Sequence, residues 1–144
     1  MLPDSTFVPR FDEDTLSERP AIEQLKRMGY TFVPGEKMDP QEEEDCERSS
    51  RREVVLVGRL RTKLKELNPE ATEDTIEKAI RQVTAIQGTG LLDENKAFHK
   101  ALISNISIEQ ETGSGRRELT VKFLDFENPE RNEFLVVNQF WVKG

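Results

Sequence analysis

Scarce residues set the first limits. The 144-residue chain holds one cysteine, Cys46, and one histidine, His99. A lone cysteine excludes an internal disulfide and a cysteine-based zinc site. A lone histidine without a cysteine near it in sequence reads as a residue at the edge of a helical core rather than a ligand or base. No apolar run approaches the roughly 20 residues that span a bilayer. The first residues, MLPDSTFVPRFDEDT, have neither the basic n-region nor the apolar h-region of a signal peptide. Together these absences point to the cytoplasm and away from a membrane. The phosphate loop G-x-x-x-x-G-K-[ST], the dinucleotide turn G-x-G-x-x-G, the nucleophile elbow G-x-S-x-G and the zinc helix H-E-x-x-H are all missing. No known loop for ATP or a dinucleotide is present, and no catalytic set is complete.

Excess positive charge is lacking too. The net charge is −7. Residues 1–50 carry 13 acidic and 6 basic side chains, and residues 51–144 carry 15 of each, so the imbalance lies wholly in the first third. Much of it is one run, Glu42, Glu43, Glu44, Asp45 and Glu47. Such a block repels itself and reads as a solvated, mobile linker over residues 34–50.

What is present alternates between two periods. Asp14-Thr15-Leu16-Ser17 opens a helix that carries Ala21, Ile22, Leu25 and Met28 and stops at Gly29. Tyr30–Val33 is a short strand ended by Pro34-Gly35. A second helix is expected from Arg51 to Leu67, with Val57, Leu60, Leu64 and Leu67 inward, ended by Asn68-Pro69. Thr72 caps a third, whose stripe is Ile76, Ala79, Ile80 and Val83. Gly88-Thr89-Gly90 breaks the chain, and a fourth helix holds Leu91, Asn95, Phe98 and Leu102 on one face. Beyond Asn105 the period becomes two: Ile106 and Ile108, a Gly113-Ser114-Gly115 turn with a loop of three to five residues, then Leu119, Val121 and Phe123. The nearly continuous apolar run from Phe134 to Val142 reads as a strand buried on both faces. Its second face would have to be covered by a partner or by following chain.

Few residues here suit chemistry. Glu18 shares a helical face with Ile22, Leu25 and Gly29, so it either faces a metal or basic partner or closes a capping box with Thr15. Pro20 argues for Ser17 rather than Thr15 as the cap. Arg52, Arg59 and Lys63 would form a basic stripe on the second helix, fit for DNA phosphates or simply for water. Asp125 and Glu127 suit a turn before Asn128-Pro129 better than they suit a metal. Asn138 and Gln139 interrupt the last strand and must be satisfied by hydrogen bonds, across the sheet or at a site.

Several of these segments are familiar together. The run from Thr15 to Glu23 with Leu25 and Gly29-Tyr30, the run Arg52–Leu56 with Arg59-Leu60, Leu67-Asn68-Pro69, and Leu92 with Asn95 and Phe98-His99 resemble the R subunit of type I restriction enzymes. The fullest match is Leu124-Asp125-Phe126-Glu127-Asn128-Pro129, followed by Asn132 and the run from Phe134 to Phe140. The resemblance spans nearly the whole chain. It implies the N-terminal portion of a restriction-endonuclease-like, PD-(D/E)xK nuclease domain in an ATP-driven DNA translocase and endonuclease. The implied cofactors are Mg²⁺ and ATP in the intact subunit. The implied partners are DNA and the methyltransferase and specificity subunits. In that family the Asp and the Glu-x-Lys follow the N-Q-F strand, and Pro3-Asp4 is not that motif. No catalytic residue is therefore expected within the chain, which would be inactive alone. Enzymes of this fold, Holliday-junction resolvases most clearly, place a Glu on the first helix eleven residues before a Gly and an aromatic, as Glu18 stands before Gly29-Tyr30. By that resemblance Glu18 is the metal-site residue.

The expected class is α+β: helices, then a hairpin and a buried strand. The expected segments are 14–33 (first helix and strand), 34–50 (acidic linker), 51–104 (helical part) and 105–144 (hairpin and buried strand), stopping short of the catalytic motif. Two other functions fit less of the sequence. A stand-alone interaction or DNA-mimic protein would need acidic residues spread beyond the first third. A small resolvase-like nuclease would need the Asp and Glu-x-Lys.

Overall fold

The structure, a computed structural model, describes residues 14–86 and 90–144. Pro3-Asp4, Gly88, Thr89 and the Thr15 side chain lie outside the described residues. Helices and strands mix as expected for α+β. The chain divides into two compact units, one built from residues 14–46 with Phe134–Trp141, the other from Glu47–Glu133 with Val142–Gly144.

The first unit opens with a wide π-helical turn, Asp14–Glu18, that runs into α1, Arg19–Arg27. Gly29, at φ 97°, ends the helix. Gly29 N–H donates to Lys26 and Tyr30 N–H to Leu25, both at 3.0 Å. This pair of bonds is a Schellman closure, and glycine meets its left-handed requirement without a Cβ penalty. The closure aims the chain into β1, Thr31–Val33. The partner is β4, Leu135–Val137, parallel to β1 with Thr31 opposite Leu135 and Val33 opposite Val137. Tyr30 packs at a tilt against Phe134, with ring centroids 5.4 Å apart.

The acidic stretch is more ordered at its edges than its charge suggests. Gly35–Met38 forms a 3₁₀ turn, and Met38 and Asp39 are buried. Asp39 folds the chain over itself, its carbonyl accepting from Glu42 and Glu43 N–H and its carboxylate from Gln41 N–H. Glu42, Glu44, Asp45 and Glu47 are exposed, as a self-repelling run should be.

The second unit holds the core. Here α2 spans Val57–Leu67, α3 Glu73–Thr84 and α4 Leu91–Ser104. The hairpin pairs β2, Ile106–Thr112, with β3, Gly115–Val121, antiparallel, with Ile106 opposite Val121 and Ile108 opposite Leu119. Leu64, Ile76, Ala79, Ile80 and Val83 close against Ile106, Ile108, Val121 and Phe123. The helical stripe and the alternating strand face read from the sequence are thus the two walls of one core. Thr72 caps α3 as expected, its hydroxyl accepting from Thr75 N–H. Gln110 on β2 adds to this cap, accepting from Thr72 N–H and the Thr75 hydroxyl and donating to the Glu70 carbonyl.

Four expectations need correction. Helix α2 begins at Val57, not Arg51. The buried Arg48 guanidinium accepts no helix there, because it takes the carbonyls of Arg51 and Glu53 for its own N–H groups. The hairpin loop is tighter than expected: Thr112 pairs with Gly115, leaving only Gly113-Ser114 between the strands. His99 and Asn95 are exposed on α4 rather than set against the core, which receives Phe98, Ala101 and Leu102 instead. The last strand is three residues long and half-buried, not a nine-residue strand buried on both faces. Its length follows from β1, which Pro34 stops after three residues and which is the strand it pairs with. Past it, Trp141 is 60% exposed.

Candidate functional site

The candidate site lies in the first unit, where α1 begins and β4 ends. Glu18 is both the last residue of the π-helical turn and the cap position of α1, with Pro20 inside the first helical turn where its missing N–H costs nothing. The Glu18 carboxylate turns toward β4. Asn138 Nδ2 donates to Oε1 at 2.6 Å, and Gln139 Nε2 donates to Oε2 at 3.1 Å. The two polar residues that break the apolar run are therefore satisfied by the Glu18 carboxylate.

The amide of Asn138 has its own anchor. Gly35 N–H donates to Asn138 Oδ1 at 3.0 Å. Register explains the meeting: Val33 pairs with Val137, so Gly35, just past Pro34, comes level with residues 138 and 139. Approach is so close that a Cβ on Gly35 would stand 1.9 Å from the Asn138 carbonyl oxygen and 2.6 Å from that of Gln139. Position 35 therefore tolerates no side chain unless the backbone shifts.

Beside Glu18 runs an open groove of about 350 Å³, walled by Ala21, Ile22 and Leu25 of α1 and by Val136 to Gln139. The groove is apolar along the helix and polar at the Glu18 end. Among the described residues that line it, Glu18 is the one carboxylate, an oxygen donor held by two amides, the chemistry that a hard cation such as Mg²⁺ prefers. Among the described residues no group of three or more His, Cys, Asp or Glu is placed to hold a metal. Glu18 thus fits as one ligand or near neighbour of a metal, not as a complete shell.

The proposed basic stripe does not assemble. Arg52 lies before α2 and off its surface pattern. Arg59 is clamped by Glu47 at 2.6 Å and by Glu133, and the hydrogen bond to Glu47 is the main cause that holds its guanidinium more firmly protonated than usual. Lys63 pairs with Glu66. These cations are largely answered by carboxylates, so a phosphate would have to displace them.

Asp125 is structural. Its carboxylate accepts from Glu127 N–H, Asn128 N–H and Arg131 Nη1, and Arg131 reaches on to the Glu66 carbonyl at the end of α2. The turn reading of Asp125-Phe126-Glu127-Asn128-Pro129 is correct. Gly35 was the residue sequence reasoning missed: Pro34-Gly35 reads as a strand stop, and nothing local marks its partner 103 residues away.

A first-helix carboxylate held at the end of a parallel strand, in a mixed α+β chain, sits in a chain whose family is recognisable. The family model described as type I restriction enzyme R protein N terminus matches residues 10–144, and the chain belongs to that family. It is 35% identical over 134 residues to the putative type I restriction enzyme MjaIXP endonuclease subunit of Methanocaldococcus jannaschii, covering 93% of this chain and 13% of that protein. It is 25% identical over 127 residues to the type I restriction enzyme HindI endonuclease subunit of Haemophilus influenzae, covering 88% of this chain and 12% of that protein. No solved structure matches. The chain therefore spans about an eighth of the length of these relatives.

Proposed function

We propose that this chain is the N-terminal segment of the R subunit of a type I restriction-modification enzyme, a cytoplasmic endonuclease that cuts unmodified foreign DNA with Mg²⁺ and ATP. The observation that carries the reading is the Glu18 carboxylate, fixed by Asn138 and Gln139 at the mouth of a groove. It stands on the first helix, where nuclease domains of the PD-(D/E)xK kind place an acidic residue.

In this reading the chain supplies one wall of the nuclease site. The family's Asp and Glu-x-Lys come from parent sequence outside these 144 residues. Mg²⁺, when bound, would activate water for phosphodiester hydrolysis and stabilise the leaving oxygen. Glu18 offers a negatively charged oxygen donor to that site. Asn138 and Gln139 each donate one hydrogen bond to it. ATP hydrolysis and translocation belong to other domains of the subunit. Sequence recognition belongs to another subunit.

Reconstitution tests this. The full-length R subunit, assembled with its methyltransferase and specificity subunits on unmodified DNA, should cleave only when both Mg²⁺ and ATP are supplied. Cleavage without ATP, or none with both, would contradict the reading.

A further inference from the structure

Successive side chains of an extended strand point to opposite faces. Asn138 and Gln139 do not: both side-chain amides reach the same carboxylate. The backbone shows how. Gln139 has φ 48°, in the left-handed region that a non-glycine residue seldom adopts. This breaks the alternation and swings the second amide onto the face of the first. A strained conformation of this kind persists where its surroundings hold it, and such sites cluster where function demands a geometry.

The second constraint is direction. An asparagine amide offers an oxygen on one side and N–H donors on the other. Gly35 N–H must meet the oxygen, so the donors must face Glu18. The amide cannot turn over without setting N–H against N–H. Gly35 is what lets this anchor approach, since any Cβ there would collide with the 138–139 backbone.

We propose that Asn138 and Gln139 are positioning residues: a strained amide clamp, anchored on Gly35, that engages one lone pair on each Glu18 oxygen and leaves the others for the cation site. The inference rests on the reading of Glu18 as a metal-site carboxylate and adds the residues that orient it.

The test is a double-mutant cycle in the full-length subunit, combining Glu18→Gln with Asn138→Ala. Two quantities are read: Mn²⁺ binding by the nucleotide-free subunit, followed by the loss of the free-ion paramagnetic signal, and DNA cleavage by the assembled enzyme. Asn138→Ala alone should weaken Mn²⁺ binding and cleavage about tenfold, as losses behind a metal ligand do. Added to Glu18→Gln it should cost less than about twofold more, because the two act as one unit. Full additivity would overturn the clamp, since Asn138 would then act independently of Glu18. So would a silent Asn138→Ala beside a damaging Glu18→Gln, which leaves the reading of Glu18 intact. A silent Glu18→Gln would instead remove that reading and the clamp with it. Gln139→Gly provides the second arm should Asn138→Ala not fold. Glycine accepts φ 48° without strain, so the melting temperature should hold or rise while cleavage falls several-fold. Unchanged cleavage in Gln139→Gly would overturn the proposal.

Discussion

Asn68 does for the second unit what Asn138 does for the first. It is 1% exposed, and its amide donates to the Leu64 and Lys122 carbonyls while its oxygen accepts from Lys122 N–H. It closes α2 and also satisfies the backbone just past β3, where strand pairing has stopped. Asn68→Ala leaves these buried groups without partners and should cost about 1–3 kcal/mol in urea unfolding of the 144-residue chain, with the slope unchanged. A loss near zero would show that water takes over its bonds. Asp125 makes a pH prediction. The Asn128 N–H, and then the Arg131 guanidinium and Glu127 N–H, hold its carboxyl below the ordinary value of 3.8, against the opposing effect of burial. A folded value below the unfolded one stabilises the fold above the ordinary carboxylate range, and that stabilisation is lost as pH falls through it toward the folded value. Asp125→Asn should therefore be less stable at neutral pH and flatter in stability between about pH 5 and about pH 3. Parallel acid profiles for the two proteins would exclude this role. At this scale the sequence was legible where partners are local: Thr72 caps α3 three residues from Thr75. Glu18 and Asn138 are 120 residues apart, and no spacing rule connects them.

Elements were legible in proportion to their own periodicity. The α3 stripe and the alternation of β2 and β3 face one core, so period alone identified Ile76, Ala79, Ile80 and Val83 on one wall and Ile106, Ile108 and Val121 on the other without knowledge of the partner. Boundaries set by distant or buried groups were not visible. Arg48 draws two carbonyls away and delays α2. The apolar run after Asn132 looked like a long strand because hydrophobicity does not state how much partner strand exists. Gly35→Ala probes that element directly. Its Cβ would meet backbone oxygen at 1.9 Å, which rigid carbonyls cannot yield as a flexible side chain would. Amides of β1 and β4 should exchange hydrogen faster in this variant, while those of α3, in the other unit, keep their protection. Unchanged exchange in β1 and β4 would mean that the close approach is not needed.

At the scale of the molecule, the two units divide the labour. The core of buried helix and hairpin residues lies in the second. The first pairs two three-residue parallel strands and carries Glu18, Asn138, Gln139 and Gly35. Parallel strands are ordinarily covered on both faces, and a pair this short is marginal unless packed against more structure. The family membership rests on the whole chain, and the proposed activity rests on one carboxylate. The most direct measurement is therefore Glu18→Gln in the full-length R subunit of the assembled enzyme, with DNA cleavage and ATP hydrolysis followed side by side. Gln keeps the shape and can still accept from Asn138 Nδ2, but it removes the charge. Cleavage should fall roughly ten- to a hundredfold, with ATP hydrolysis within about twofold of the parent. Cleavage at the parental rate, or ATP hydrolysis falling in step with it, would contradict the assignment of Glu18 to the DNA-cutting site.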